Sequence, residues 1–287
     1  MSSIEKAIEK QNQAKASTVH KNVVLPEPDV ALATPQVEAR KKRVDETVAI
    51  LAILEKNGML TPSLKDSRQA EEYRVIKRPL LSNASAENAR MIDRGNVIMV
   101  TSALQGEGKT YTTTNLAVSI AAERDRSVLV VDCDVVKHSL SSMFGLEGRK
   151  GLIDVLLDPT ITIDDVIVST DIPSLKIIPA GMANNFSTEL LASNQMAQIM
   201  DEMVGRYSDR FLILDSPPLL MTSQSAVLAG HAGQILVVVE EGVTPQKAVI
   251  EAISTLDDNK AIGTVLNKRS RMNRGEMYGY YGSYGDY

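Results

Sequence analysis

Residues 97–121, VIMVTSALQGEGKTYTTTNLAVSIA, constrain the fold more than any other part of this chain. An apolar run of strand length, Val97–Thr101, passes into a glycine-containing loop and then into a segment of helix length. Within it, Ala103-x-x-x-x-Gly108-Lys109-Thr110 follows the phosphate-binding loop pattern, with Ala103 in place of the first glycine. Each position has a physical task. Gly106 and Gly108 let main-chain N–H groups converge on phosphate oxygens with no Cβ in the way. A helix starting near Lys109 turns its positive end toward the same oxygens. Lys109 is then placed for the β- and γ-phosphates, and the Thr110 hydroxyl for Mg²⁺. Gln105, Glu107 and Tyr111 complete the expected nucleotide-binding set around that turn. The plainer alternative is a glycine-rich strand–helix turn carrying a surface lysine.

The rest of the chain repeats the strand–helix rhythm. Apolar runs at Ser127–Asp132, Leu175–Pro179, Phe211–Asp215, Ile235–Val239 and Ile262–Leu266 are separated by helical segments. Continuous rather than alternating apolar strands with helix-length crossovers predict an α/β fold of the P-loop NTPase kind. Its central sheet should be mostly parallel, with helices on both faces. SRQAEEYRVIKRPLL (67–81) reads as a charged helix ending near Pro79. This α/β domain is expected over 68–272, behind an N-terminal extension at 1–67. The extension contains a weak amphipathic stretch at 2–15, a proline-containing linker at 16–45, and a short helix at 46–57 that Gly58 ends. Residues 273–287 form a third zone. There Tyr278, Tyr280, Tyr281, Tyr284 and Tyr287 alternate with glycines, a composition unable to pack a core and expected to be mobile.

Composition sets limits on function. A formal net charge of -5 gives no global reason for nucleic-acid binding. One cysteine, Cys133, leaves no internal disulfide framework and suits a reducing cytosol. With no secretory h-region and no apolar run of about 18 residues, a cytoplasmic location is expected, with membrane association only through a partner.

Two further strands end on acids. SVLVVDCDVVKHSL carries Asp132 and Asp134 to the carboxyl end of its strand, where open parallel sheets bind ligands. Residues two apart on an extended chain face the same way, so both carboxylates are candidates for one cation. FLILDSPP does the same with Asp215. Each is also read as a helix cap. The order, phosphate loop first and acids after, favours the metal role for Thr110, Asp132, Asp134 and Asp215.

Together these motifs resemble the bacterial tyrosine autokinases, a P-loop kinase family unrelated to eukaryotic protein kinases. DCDVVKHSL, TELLAS (Thr188–Ser193) and LDSPPLLMTSQSAVLA are similar to the wording of its exosortase- and exopolysaccharide-associated subgroup. The resemblance covers about residues 68–287. It implies ATP and Mg²⁺ as cofactors, catalysis by Lys109, Asp132, Asp134 and Asp215, and autophosphorylation at the five tail tyrosines. It further implies control of exopolysaccharide synthesis or export, with a membrane polysaccharide co-polymerase as activator. Glu71-x-x-Arg74-x-x-Lys77 is similar to the family's ring-forming E-x-x-R-x-x-R helix, although Lys77 lacks the planar fork of arginine. Val136 and Lys137 stand where many members have arginines, and Asn267 is expected near the adenine. Leu104 stands where the plasmid-partition and division-site ATPases place a signature lysine, which argues against that branch.

The expected chemistry is phosphoryl transfer to a phenol that is neutral at pH 7. The tail of one subunit would enter a neighbour's site, where Asp132 orients or deprotonates it while Asp134 and Asp215 hold the metal. The three roles can be permuted on sequence alone. Three alternatives stay open: a non-kinase ATPase switch acting on a membrane-associated partner, a catalytically weak adaptor that binds nucleotide structurally, and a tyrosine tail that stacks on nucleic acid, with Lys268, Arg269, Arg271 and Arg274 beside it.

Overall fold

The computed structural model describes residues 47–269, except 65, 86–91, 183–185, 206–209 and 258. The expected stretch at 2–15, the linker and the tyrosine segment lie outside the described residues.

Seven strands form one sheet: β1 Val97–Ser102, β2 Ser127–Asp132, β3 Val168–Ser169, β4 Leu175–Ile178, β5 Arg210–Asp215, β6 Gln234–Glu240 and β7 Ala261–Asn267. Their order is β3-β4-β2-β5-β1-β6-β7, and every pair is parallel except β3 with β4. Six strands fall where the apolar runs put them. The antiparallel β3 has only two residues, too few to show a period.

Successive side chains of a strand point to opposite faces, and here both faces are dry. Val97, Met99, Leu129, Val131, Leu212 and Leu214 pack into one core layer. Their alternates Ile98, Val100, Val128, Val130, Phe211 and Ile213 pack into the other. Onto the second layer fold α1 Leu51–Lys56, α2 Arg68–Ala84 and α3 Lys109–Ala121, supplying Leu54, Tyr73, Leu80, Leu116 and Ile120. The first layer is covered by α5 Leu152–Leu157, α8 Asn194–Gly205, α9 Gln224–His231 and α10 Gln246–Ser254; the short α4 Ser139–Met143 precedes them, and the short α6 Ile163–Val166 and α7 Ser187–Leu191 lie between α5 and α8. Among the described residues no helix is long and apolar enough to cross a membrane.

Two boundaries differ from expectation. Described residues from the expected extension before residue 68 pack with the sheet. Ile50, Leu54, Met59 and Leu60 are buried in its core, and Asn115 of α3 accepts the Leu60 N–H at 2.6 Å. The expected helix at 46–57 forms over Leu51–Lys56 and stops before Gly58 at φ 62°. Its short sequence gave little sign that its apolar face was already claimed by the sheet. The second difference is Pro79, which does not end α2; the helix continues to Ala84. A proline there removes one intrahelical hydrogen bond. Tertiary bonds hold the last turn instead: Gln234 donates to the Leu80 carbonyl at 2.9 Å and accepts from Asn83 at 2.8 Å.

A candidate nucleotide and phosphoryl-transfer site

The site lies at the carboxyl ends of β1, β2 and β5, three neighbours in the sheet. Gly106 and Gly108 occupy positive φ, 86° and 95°, the left-handed region that glycine enters without strain. Helix α3 begins at Lys109, with Gly108 as its N-cap, and therefore aims its unpaired N–H groups and dipole toward the loop. Strand, loop and helix stand as the sequence predicted.

Lys109 is largely buried, and desolvation lowers its pKa; Asp215, Asp134 and Glu107, in that order, act against the loss of its charge. Asp215 is buried and accepts two hydroxyls of α3, Thr110 Oγ1 at 2.8 Å and Thr113 Oγ1 at 3.0 Å. Burial first, and then the Asp132 charge, push its pKa up to about 7. Asp132 sits beside it in register on β2 but faces other partners. Its Oδ2 accepts the Ser141 N–H at 2.8 Å and the Ser141 hydroxyl at 2.6 Å, while Oδ1 accepts the Asp134 N–H at 3.2 Å. Burial raises Asp132 to about 6, against the lowering effect of those bonds. Asp134 Oδ1 accepts the Lys137 N–H at 3.2 Å. Cys133, between the two acids, is buried, and burial pushes its thiol well up.

Three hard carboxylates, a hydroxyl and a glycine cradle form a donor set suited to Mg²⁺ bound together with phosphate. Among the described residues no three His, Cys, Asp or Glu side chains make a cage that would hold an ion by themselves.

Other expected residues fall at different distances from this centre. Glu107 is buried, with one oxygen accepting the Leu104 N–H at 2.6 Å and the other bonded to the Thr244 hydroxyl. Asn267 donates to the Glu107 carbonyl at 2.8 Å, so it braces the phosphate loop from outside. Tyr111 faces away from the loop; its hydroxyl takes an N–H from Gln69 at 2.6 Å and donates to the Gly58 carbonyl at 3.1 Å. In the charged helix, Glu71 and Arg74 pair at 2.6 Å on the exposed side. Lys77 is buried, donating to the Ser119 carbonyl at 2.7 Å and pairing with Glu123 at 2.5 Å, which fastens α2 to α3.

Thr113, Ser141 and Thr244 escaped the sequence reading. Thr113 follows Thr110 by three residues on a helix, a spacing that puts both on one face. Ser141 and Thr244 carry no such signal.

Comparison with known proteins identifies the family. A family model described as an AAA domain matches residues 95–264. Tyrosine-protein kinase YwqD of Bacillus subtilis is 29% identical over 76% of this chain and 88% of its own length. Tyrosine-protein kinase wzc of Salmonella typhimurium is 32% identical over 67% of this chain, which spans only 27% of that relative. The kinase domain of Escherichia coli tyrosine kinase ETK superposes with a TM-score of 0.63 at 26% identity, over 78% of this chain and 90% of that one. The chain belongs to the AAA domain family, in its bacterial tyrosine-kinase branch.

Proposed function

We propose that this protein-tyrosine kinase binds MgATP in the phosphate loop and transfers the γ-phosphoryl group to tyrosines Tyr278, Tyr280, Tyr281, Tyr284 and Tyr287 of a neighbouring copy. The observation that carries the reading is the joint placement of Thr110, Lys109 and Asp215. The Thr110 hydroxyl lies 2.8 Å from Asp215, and Lys109 lies in the field of Asp215 and Asp134. The main-chain amides of Gln105 to Thr110 and the Lys109 ammonium hold the phosphates. Thr110, Asp215 and Asp134 hold Mg²⁺, partly through water, with Asp132 near enough to share the charge. When bound, the ion neutralises charge developing on the transferred group.

Asp132 orients the acceptor phenol. The Asp132 Oδ2 is taken up by the Ser141 N–H and hydroxyl, which leaves Oδ1, bonded only to the Asp134 N–H, to receive the proton. A carboxyl raised to about 6 is better matched to a phenol than an ordinary aspartate is. The base and ribose fit a cavity of about 550 Å³ lined by Gln69, Glu72, Tyr73, Tyr111, Asn267 and Lys268. This keeps Asn267 near the adenine, although its amide N–H already serves the loop.

The resemblance to the exopolysaccharide-associated subgroup supplies the setting: a cytoplasmic kinase, recruited to the membrane by a polysaccharide co-polymerase and assembled into a ring. Exposed Glu71 and Arg74 are available to such an assembly, whereas Lys77 acts within the subunit. Incubation with γ-labelled ATP tests the proposal. Label should appear on the tail tyrosines, and Lys109→Met should abolish it. Release of free phosphate with an unlabelled tail would make the protein an ATPase switch instead.

A further inference from the structure

A phosphate loop works only if its amides point inward, which requires its carbonyls to point outward and find donors there. In this chain two of those donors come from one place. Asn267 Nδ2 donates to the Glu107 carbonyl at 2.8 Å, and the next residue, Lys268, donates to the Gly106 carbonyl at 2.7 Å. Lys268 is itself fixed by an ion pair with Glu240 at 2.9 Å. Glu240 ends β6, and its main-chain N–H is accepted by the Thr244 hydroxyl at 3.1 Å. That same hydroxyl bonds the buried Glu107 carboxylate, whose other oxygen takes the Leu104 N–H. Two adjacent loop carbonyls and the loop's own acid are thus pinned by the ends of β6 and β7.

The fit is tight. A Cβ added at Gly108 would lie 2.1 Å from Asn267 Nδ2, so this glycine serves the approach of Asn267 as well as the turn. Asn267 and Lys268 contact the loop's outer side through main-chain carbonyls, so they act on the phosphates through the loop, apart from lining the cavity proposed for the base.

We propose that the ends of β6 and β7 form a latch on the phosphate loop, with Asn267, Lys268 and Thr244 as positioning residues that hold its amides toward the nucleotide. The proposal rests on the nucleotide-binding reading of this site. It explains why a glutamate sits buried inside a loop meant for an anion. Glu107 is a structural strut turned away from the phosphates, satisfied by an amide and a hydroxyl.

The test uses the full chain with Asn267→Ala, Thr244→Val and Thr244→Ser. MgADP affinity by calorimetry should fall about tenfold for Asn267→Ala, which loses one hydrogen bond, and at least as much for Thr244→Val, which loses the two made by its hydroxyl. The double variant should lose less than the sum, because both act on one loop. Thr244→Ser, which keeps the hydroxyl, should restore affinity. In the nucleotide-free proteins, amide hydrogen exchange at Gly106 to Thr110 should accelerate in the two weakened variants while β1 and β5 stay protected. Affinities within twofold of the parent together with unchanged loop exchange overturn the latch. If the parent itself takes up no MgADP, the nucleotide reading fails, and the exchange measurement still decides the latch alone.

Discussion

Asp215 and Asp132 end neighbouring strands in register, each after an apolar run, yet the fold uses them differently. Asp215 is held by Thr110 and Thr113, both on the helix that follows the phosphate loop. Its carboxylate reports directly on the phosphate site. Asp132 is held by Ser141 and by the Asp134 N–H, so it organises the loop after its own strand. Similar sequence contexts therefore deliver one acid to the helix after the phosphate loop and the other to the turn after its own strand, the geometry on which their separate proposed roles rest. The difference is made by what arrives opposite each strand end.

The largest effect should come from removing these charges one at a time. Asp215→Asn should lower phosphoryl transfer about a thousandfold, as expected for losing a principal charge-stabilising contact. It should also weaken MgADP binding clearly. Asp132→Asn should slow transfer by about a hundredfold while leaving MgADP affinity within about threefold, since its bonds face Ser141. Single-turnover labelling and calorimetry separate the two. Equal losses of MgADP affinity would dissolve the distinction.

A smaller effect concerns pH and stability. Both carboxyls have folded pKa values above the ordinary aspartate value, about 6 for Asp132 and about 7 for Asp215. Each therefore binds its proton more tightly folded than unfolded. Their contribution is fully present below about pH 4, and is lost as pH rises through 6 and then 7. The nucleotide-free protein should therefore lose stability across that window. Urea midpoints at pH 5 and pH 8 measure it. Asp215→Asn should flatten the upper part of the decline and Asp132→Asn the lower part. A midpoint that rises with pH would contradict the stated environments of both groups.

Much of this centre was legible because its signals are local. The turn at Gly106–Gly108 and the runs ending at Asp132 and Asp215 each combine a period with a terminal residue of fixed chemistry. The sheet's central strands followed, since a strand buried on both faces must be apolar throughout. What the chain concealed depends on partners distant in sequence. Ile50 and Leu54 look like one face of a small free helix, and only the sheet's second layer makes them core. Pro79 reads as a stop, because its compensation comes from Gln234, 155 residues later by number. Lys77 sits in a motif for association, yet the Ser119 carbonyl and Glu123 of the adjacent helix region take its ammonium. Thr244 shows nothing locally of its bond to Glu107.

The smallest effect tests the comparison through the hydroxyls that define it. Thr113→Val removes a bond to Asp215 while keeping the side-chain shape, and Ser141→Ala removes one of the bonds to Asp132. Each deletes one neutral hydrogen bond to an acid, a loss of about 1.4 kcal/mol or roughly tenfold. The two losses should appear in different constants. Thr113→Val leaves Asp215 less well oriented toward the cation, so MgADP affinity should fall while the pH dependence of transfer keeps its shape. Ser141→Ala strips a bond that stabilises ionised Asp132, so its pKa should rise and the acidic limb of the transfer rate should move to higher pH. Nucleotide affinity should hold in that variant. If both variants shift the same constant by the same factor, the two acids act as one coupled site, and their separate assignments fail together.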